Sequence, residues 1–126
     1  MFHTTSVAAG RSILSTGFKV HRGIGGGSAF GVGVNLSPSL SHTMLYNADR
    51  GCSCTLVCEA VVGRWHKNTS REVPGVDVTV PDHKMPMRGF DAMYGGDDGQ
   101  IVVIPCSARV RPLCMIVHKG GSGGGP

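Results

Sequence analysis

The sequence predicts an α+β fold, and three observations predict it. Two helical segments come early, one strand of clear period-two alternation sits mid-chain, and two further short strands follow. The 20 glycines and the 6% aromatic content favour loops and short strands over long helices. At 126 residues the chain is one domain with room for a modest core.

The first helix is bounded by its own residues. The Ser6 hydroxyl can accept an orphan backbone N–H, Val7, Ala8, Ala9, Ile13 and Leu14 supply about three turns, and Gly17 closes them. Phe18 is expected to tuck behind that end. A loop from Lys19 to Ala29 follows, paved by Gly23, Gly25, Gly26 and Gly27, and leads into a short strand from Val32 to Ser37. Glycines at 31 and 33 mark a tight bend or a place where backbone approaches a ligand. Pro38 to Tyr46 reads as a second helix capped by Ser39, with Leu40, Thr43 and Met44 on one face, and Asn47 to Gly51 as a turn.

From Cys52 to Gly63 one face carries Cys52, Cys54, Leu56, Cys58, Ala60 and Val62, the mark of a half-buried strand. Pro74, Pro81 and Pro86 make Arg64 to Met87 mostly loop, while Gln100–Ile104 and Cys114–His118 read as two more strands. Residues 1–119 then form the domain and 120–126 a flexible glycine-rich tail.

Several chemistries are disfavoured. The net charge of +4 is scattered and makes no nucleic-acid footprint. No apolar run reaches membrane-spanning length, and the start lacks the basic-then-apolar pattern of a secretory signal, so the expected setting is intracellular, in cytoplasm or nucleus. Cys52, Cys54, Cys58, His66 and His83 offer zinc donors, but paired knuckles are missing and thiols spread along one strand face do not converge on an ion. Buried reduced cysteines fit that parity better. The glycine run lacks the Gly-Lys-Ser/Thr ending of a phosphate loop and the strand-to-helix context of a dinucleotide fingerprint. No nucleophile elbow is present.

The ordered segments carry a resemblance. Phe2-His3-Thr4-Thr5-Ser6, then Ile13 to Phe18, Phe30-Gly31-Val32-Gly33-Val34-Asn35-Leu36, Ser41-His42-Thr43 with Tyr46, Asp91, and finally Gln100–Ile104 with Val110–Ile116 stand in one sequence. Together they resemble the catalytic domain of the poly(ADP-ribose) polymerase family, including its mono-ADP-ribosyltransferases. The resemblance implies two small, mostly antiparallel sheets with short helices around an NAD cleft, NAD being the co-substrate.

It also implies roles. His3 would bond the nicotinamide-side ribose, the Thr4 backbone the nicotinamide amide, and the Thr5 hydroxyl would lie near the adenine-side ribose. Gly33 would floor the pocket, Thr43 would donate to the amide oxygen, and Tyr46 would stack on the nicotinamide. Asn35 stands where the family has the clamp's tyrosine, Thr4 where it has a glycine, and Ile101 where polymerising members carry a catalytic glutamate. Ile101 therefore implies single transfer to a protein acceptor, or to a nucleic acid, rather than chain elongation. Asn35 and Thr4 motivate the alternative of a catalytically weak or inactive module that binds NAD or ADP-ribose. The strand preceding the histidine is expected to be nearly absent, leaving one sheet edge short.

Overall fold

The computed structural model describes residues 1–20, 31–47, 51–68, 85–96 and 100–118, without the side chains of Tyr46 and Asn47. Most of the glycine loop, residues 69–84 of the proline-rich stretch and the tail from residue 119 lie outside these. In chain order the elements are β1 (Phe2–Thr5), α1 (Val7–Thr16), β2 (Val34–Leu36), α2 (Leu40–Asn47) and β3 (Cys54–Ala60). Then come β4 (Trp65–Lys67), β5 (Ala92–Gly95), β6 (Ile101–Ile104), a 3-10 turn at Ser107–Arg109 and β7 (Val110–Val117).

They form a three-stranded sheet in the order β1-β3-β7 and a four-stranded sheet in the order β2-β6-β5-β4. Every pairing is antiparallel except that of β4 with β5. The α+β class with two small, mostly antiparallel sheets is thus what the chain adopts. The two sheets meet at one bridge: the Phe2 N–H donates to the Ser37 carbonyl at 2.8 Å and the Ser37 N–H returns to Phe2 at 2.9 Å. This bridge draws the end of β2 alongside β1, and it decides where the candidate site lies.

The helix ends follow their sequence signals. Ser6 Oγ accepts from the Ala9 N–H, and Gly17, at φ 83°, donates its N–H to the Ile13 carbonyl. The His42 N–H donates to Ser39 Oγ, so α2 is capped by Ser39. Phe18 is buried behind the first helix and joins Val34, Leu36, Leu56, Cys58, Val102 and Ile104 in the core.

The strands correct the expectations in several places. The strand expected over Cys52–Gly63 is shorter, Cys54–Ala60, and Cys52 lies outside it, half-buried. It is not simply half-buried either: Thr55, opposite in parity to the cysteines, is 0% exposed because β1 and β7 flank it on both edges. The strand expected over 32–37 is Val34–Leu36, with Ser37 in the bridge. The last strand begins at Val110 rather than Cys114, since the register slips between Val57 and Cys58 and admits Pro112 on the sheet's edge.

Trp65–Lys67 is a strand within the expected loop, and Ala92–Gly95 is a strand that the sequence does not predict. β1 carries the histidine itself, with Phe2 alone before it, and pairs with β3 along all four residues, from Phe2–Val57 to Thr5–Cys54. β3 satisfies one side of its backbone, and the Phe2–Ser37 bridge part of the other.

α1 lies against β3 and β7 through a glycine. A Cβ on Gly10 would stand 2.6 Å from Cys54 Sγ and 3.0 Å from Met115 Sδ. Gly10→Ala is expected to lower stability despite its better helix propensity, by about 1–3 kcal/mol for overpacking. Urea denaturation measures it, and a Gly10→Ala/Cys54→Ala pair should recover part of the loss.

Candidate active site

The site is built where β1, β2 and α1 converge. Opposed residues of an antiparallel pair share a face, so His3, opposite Leu56, points to the same side as Cys54 and Leu56, the side on which α1 packs. There the His3 ring meets Phe18 edge-on, with centroids 5.1 Å apart and an interplanar angle of 88°. Its Nδ1 donates to the Asn35 carbonyl at 2.7 Å. A carbonyl accepts only, so that bond fixes the proton on Nδ1 and leaves Nε2 of the neutral ring as an acceptor.

Burial pushes the His3 imidazole below its ordinary value of 6.5, partly offset by the bond to Asn35, which favours the protonated ring. The neutral tautomer is therefore the form present near neutral pH. The same shift links His3 to stability. The unfolded chain takes up the proton before the folded one, so the contribution is complete above 6.5 and lost as pH falls through the folded value. Denaturant midpoints measured on acidification should fall, and more steeply in the wild type than in His3→Asn.

A cavity of about 310 Å³ opens beside His3. α1 contributes Ser12 and Ile13 to its wall, and the segment after it contributes Phe18 and Lys19. Gly33, Val34 and Asn35 form the side made by β2. Of the residues the sequence singled out, His3, Gly33 and Asn35 thus line one cavity. Thr4 and Thr43 are buried elsewhere, Thr5 ends β1, and none of them lines it. Ile101 also lies outside it, at the start of β6, on the sheet face shared by Asn35 and Val103. The Tyr46 side chain lies outside the described residues.

Lys19 and Ser12 were not singled out by the sequence. A single lysine after a helix end carries no motif; only the fold sets it on the cavity wall. Gly33 has a second explanation besides a ligand. A Cβ there would stand 2.6 Å from the Ile104 carbonyl oxygen and 2.9 Å from the Pro105 nitrogen, so the neighbouring backbone by itself requires glycine.

Of the thiols, those of Cys54 and Cys58 belong to the core, while Cys106 and Cys114 are exposed. Burial raises Cys54, and raises Cys58 to about 11 against the opposing pull of the Met1 ammonium, so both stay protonated and unreactive. Among the described residues no group of three or more His, Cys, Asp or Glu side chains is placed to hold a metal ion, and no helix is long and apolar enough to cross a membrane. Asp91, one of the residues of the resemblance, ties strands together: it accepts the Arg64 N–H at 2.9 Å and pairs with Arg109 at 3.3 Å.

Comparison with protein-family models and with curated proteins returns no match for this chain.

Proposed function

We propose that this chain binds NAD in the cleft between β1, β2 and α1, with an ADP-ribosyltransferase-like fold, and transfers one ADP-ribose unit to a protein or nucleic-acid acceptor. The observation that carries this reading is His3: half-buried, neutral, its Nδ1 proton engaged by Asn35, and in the wall of a cavity that also presents a lysine. Such an imidazole offers Nε2 to a ribose hydroxyl, and Lys19 supplies positive charge for the diphosphate. A cavity of 310 Å³ stands at the lower end of the range for ligand pockets, so it suits one half of a dinucleotide, with the rest along its open side.

The chemistry asks little of acid–base groups. The bond between the nicotinamide nitrogen and ribose C1′ breaks, the electron pair leaves with neutral nicotinamide, and an acceptor oxygen or nitrogen bonds C1′ and gives its proton to solvent. Holding the dinucleotide so that this bond faces the acceptor supplies much of the acceleration. Ile101, in the place of an elongating glutamate, leaves single transfer. The buried thiols of Cys54 and Cys58 agree with the intracellular setting proposed with this reading. Incubation with NAD labelled in the adenylate part tests the reading: label on protein or nucleic acid is expected, and none on any acceptor would remove the enzymatic reading.

One observation favours a second reading, a module that binds NAD or ADP-ribose without turnover. Asn35 brings an amide where a stacking ring would close the clamp. Because the Asn35 backbone, not its side chain, holds His3, Asn35→Tyr keeps that bond. The variant is expected to tighten NAD binding about tenfold, within the range of a base–aromatic stack. Calorimetry on both proteins measures it, and unchanged affinity would mean that Asn35 does not face the nicotinamide.

A further inference from the structure

β7 is an edge strand, and β3 is its one neighbour among the described residues. The Cys58 N–H donates to the Met1 carbonyl and the Met1 ammonium to the Cys58 carbonyl. Cys58, and with it Leu56 and Cys54, therefore turn their main-chain groups toward β1. Thr55 and Val57 turn theirs toward β7, as does Ser53, whose carbonyl accepts the His118 N–H at 2.8 Å. Their partners Cys114 and Ile116 face inward with His118, which leaves the N–H and C=O of Met115 and Val117 pointing away from the sheet.

Sheet edges are normally guarded by shortness, charge or cover. β4, at the edge of the other sheet, is three residues long and carries Lys67, and the outer side of β1 is partly closed by the bridge to Ser37. β7 runs for eight residues with no charge from Pro112 to Val117, and Arg111, before them, is paired with Glu59. Leu113, Ile116 and Val117 are exposed, Val117 to 60%. Cys114, between Leu113 and Ile116, is exposed as well.

α1 roofs this edge. It crosses β3 and β7 at Gly10, which lies against Cys54 and Met115. Ala9, Ser12 and Ile13 line the His3 cavity, so at about 100° per residue Arg11 and Leu14 fall on the opposite flank, above the open edge. Both are exposed. The geometry points to β7 as a docking edge for an extended peptide strand, apolar in alternation and carrying an acidic residue. Met115 and Val117 give it main-chain hydrogen bonds, Leu14, Ile116 and Val117 apolar contact, and Arg11 a charge partner. Charge selects against a second copy of this chain: each carries +4, and two-fold pairing of β7 sets the two Arg11 side chains toward each other. The docking edge stands independently of the NAD reading.

Backbone amide exchange reads the edge residue by residue. In the full chain alone the Met115 and Val117 amides should exchange fast, while those of Cys114 and Ile116, bonded to β3, are protected. The probe is a blocked octapeptide alternating valine and threonine, with a glutamate at its centre. Its addition should slow Met115 and Val117 saturably, by about tenfold, and leave Cys114 and Ile116 unchanged. Val117→Pro deletes one outward N–H without touching the ladder to β3, and is expected to weaken the peptide about fivefold to tenfold. Ile116→Lys, which puts a charge on the apolar edge, should weaken it as well. Arg11→Ala should weaken the glutamate peptide about twofold to fivefold and leave a glutamine counterpart unaffected.

A peptide that leaves Met115 and Val117 unchanged, or that binds both edge variants as tightly as wild type, would overturn the docking edge. So would protection of both amides without peptide. Protection that rises with protein concentration would give the edge to a second copy, and protection independent of concentration to a segment of this chain. Equal affinity for the glutamate and glutamine peptides would overturn the assignment of an acidic strand. Thermal melts establish folding, and because Ile116→Lys changes only an exposed side chain, it faces the same criteria if Val117→Pro does not fold.

Discussion

A Gly33→Ala variant is expected to unfold at a clearly lower denaturant concentration than the wild type. The added Cβ would lie 2.6 Å from the Ile104 oxygen, 2.7 Å from its carbonyl carbon and 2.9 Å from the Pro105 nitrogen. All three are main-chain atoms at the end of β6, so no side chain can swing aside. β2 must move away from β6, where Val34 is opposed to Ile104. Overpacking of this kind costs about 1–3 kcal/mol, and the rigid neighbour puts Gly33→Ala at the upper end. The loss should appear without any ligand, and a denaturation midpoint equal to wild type would show that the close approach does not exist.

The second large effect is at His3. His3→Ala removes the hydrogen bond to the Asn35 carbonyl, at a cost of about 1 kcal/mol of stability. It also removes the Nε2 acceptor from the cleft. On the proposed reading NAD affinity falls about tenfold, and transfer falls on the order of a hundredfold as the dinucleotide loses its alignment. His3→Asn separates the two consequences. Its amide can still donate to Asn35 but places no acceptor where Nε2 stood, so stability should largely return while transfer does not. Recovery of both would make His3 a purely structural residue.

The parts of the fold legible in the sequence were those with local causes. Ser6 and Gly17 bound α1 because each supplies or accepts a hydrogen bond within its own turn. The alternation of Cys54, Leu56 and Cys58 announced β3 because one of its faces meets the core. β1 was hidden because His3, Thr4 and Thr5 are polar, and it is a strand only by virtue of β3 beside it. β4 is three residues long and pairs in parallel with β5, whose partner segment lies far along the chain, so no local pattern marks it.

The site divides in the same way. His3, Gly33 and Asn35 are legible because their segments are distinctive, and the bridge between Phe2 and Ser37 brings them together. The tautomer of His3 could not be read, since it depends on a carbonyl 32 residues away. Lys19 on the cavity wall is likewise placed only by the way α1 and the segment after it pack, and it carries no sequence signature.

The central claim is that a neutral His3 presents Nε2 to NAD while Asn35 holds its other nitrogen. Imidazole nitrogen NMR during an NAD titration at neutral pH tests it most directly, because it reads the two nitrogens of each of the six histidines separately. The predicted result is a saturable shift at His3 Nε2, with Nδ1 remaining protonated throughout and the signal absent from His3→Asn. His3 resonances that stay unmoved at saturating NAD, or a His3 whose proton sits on Nε2, would contradict it.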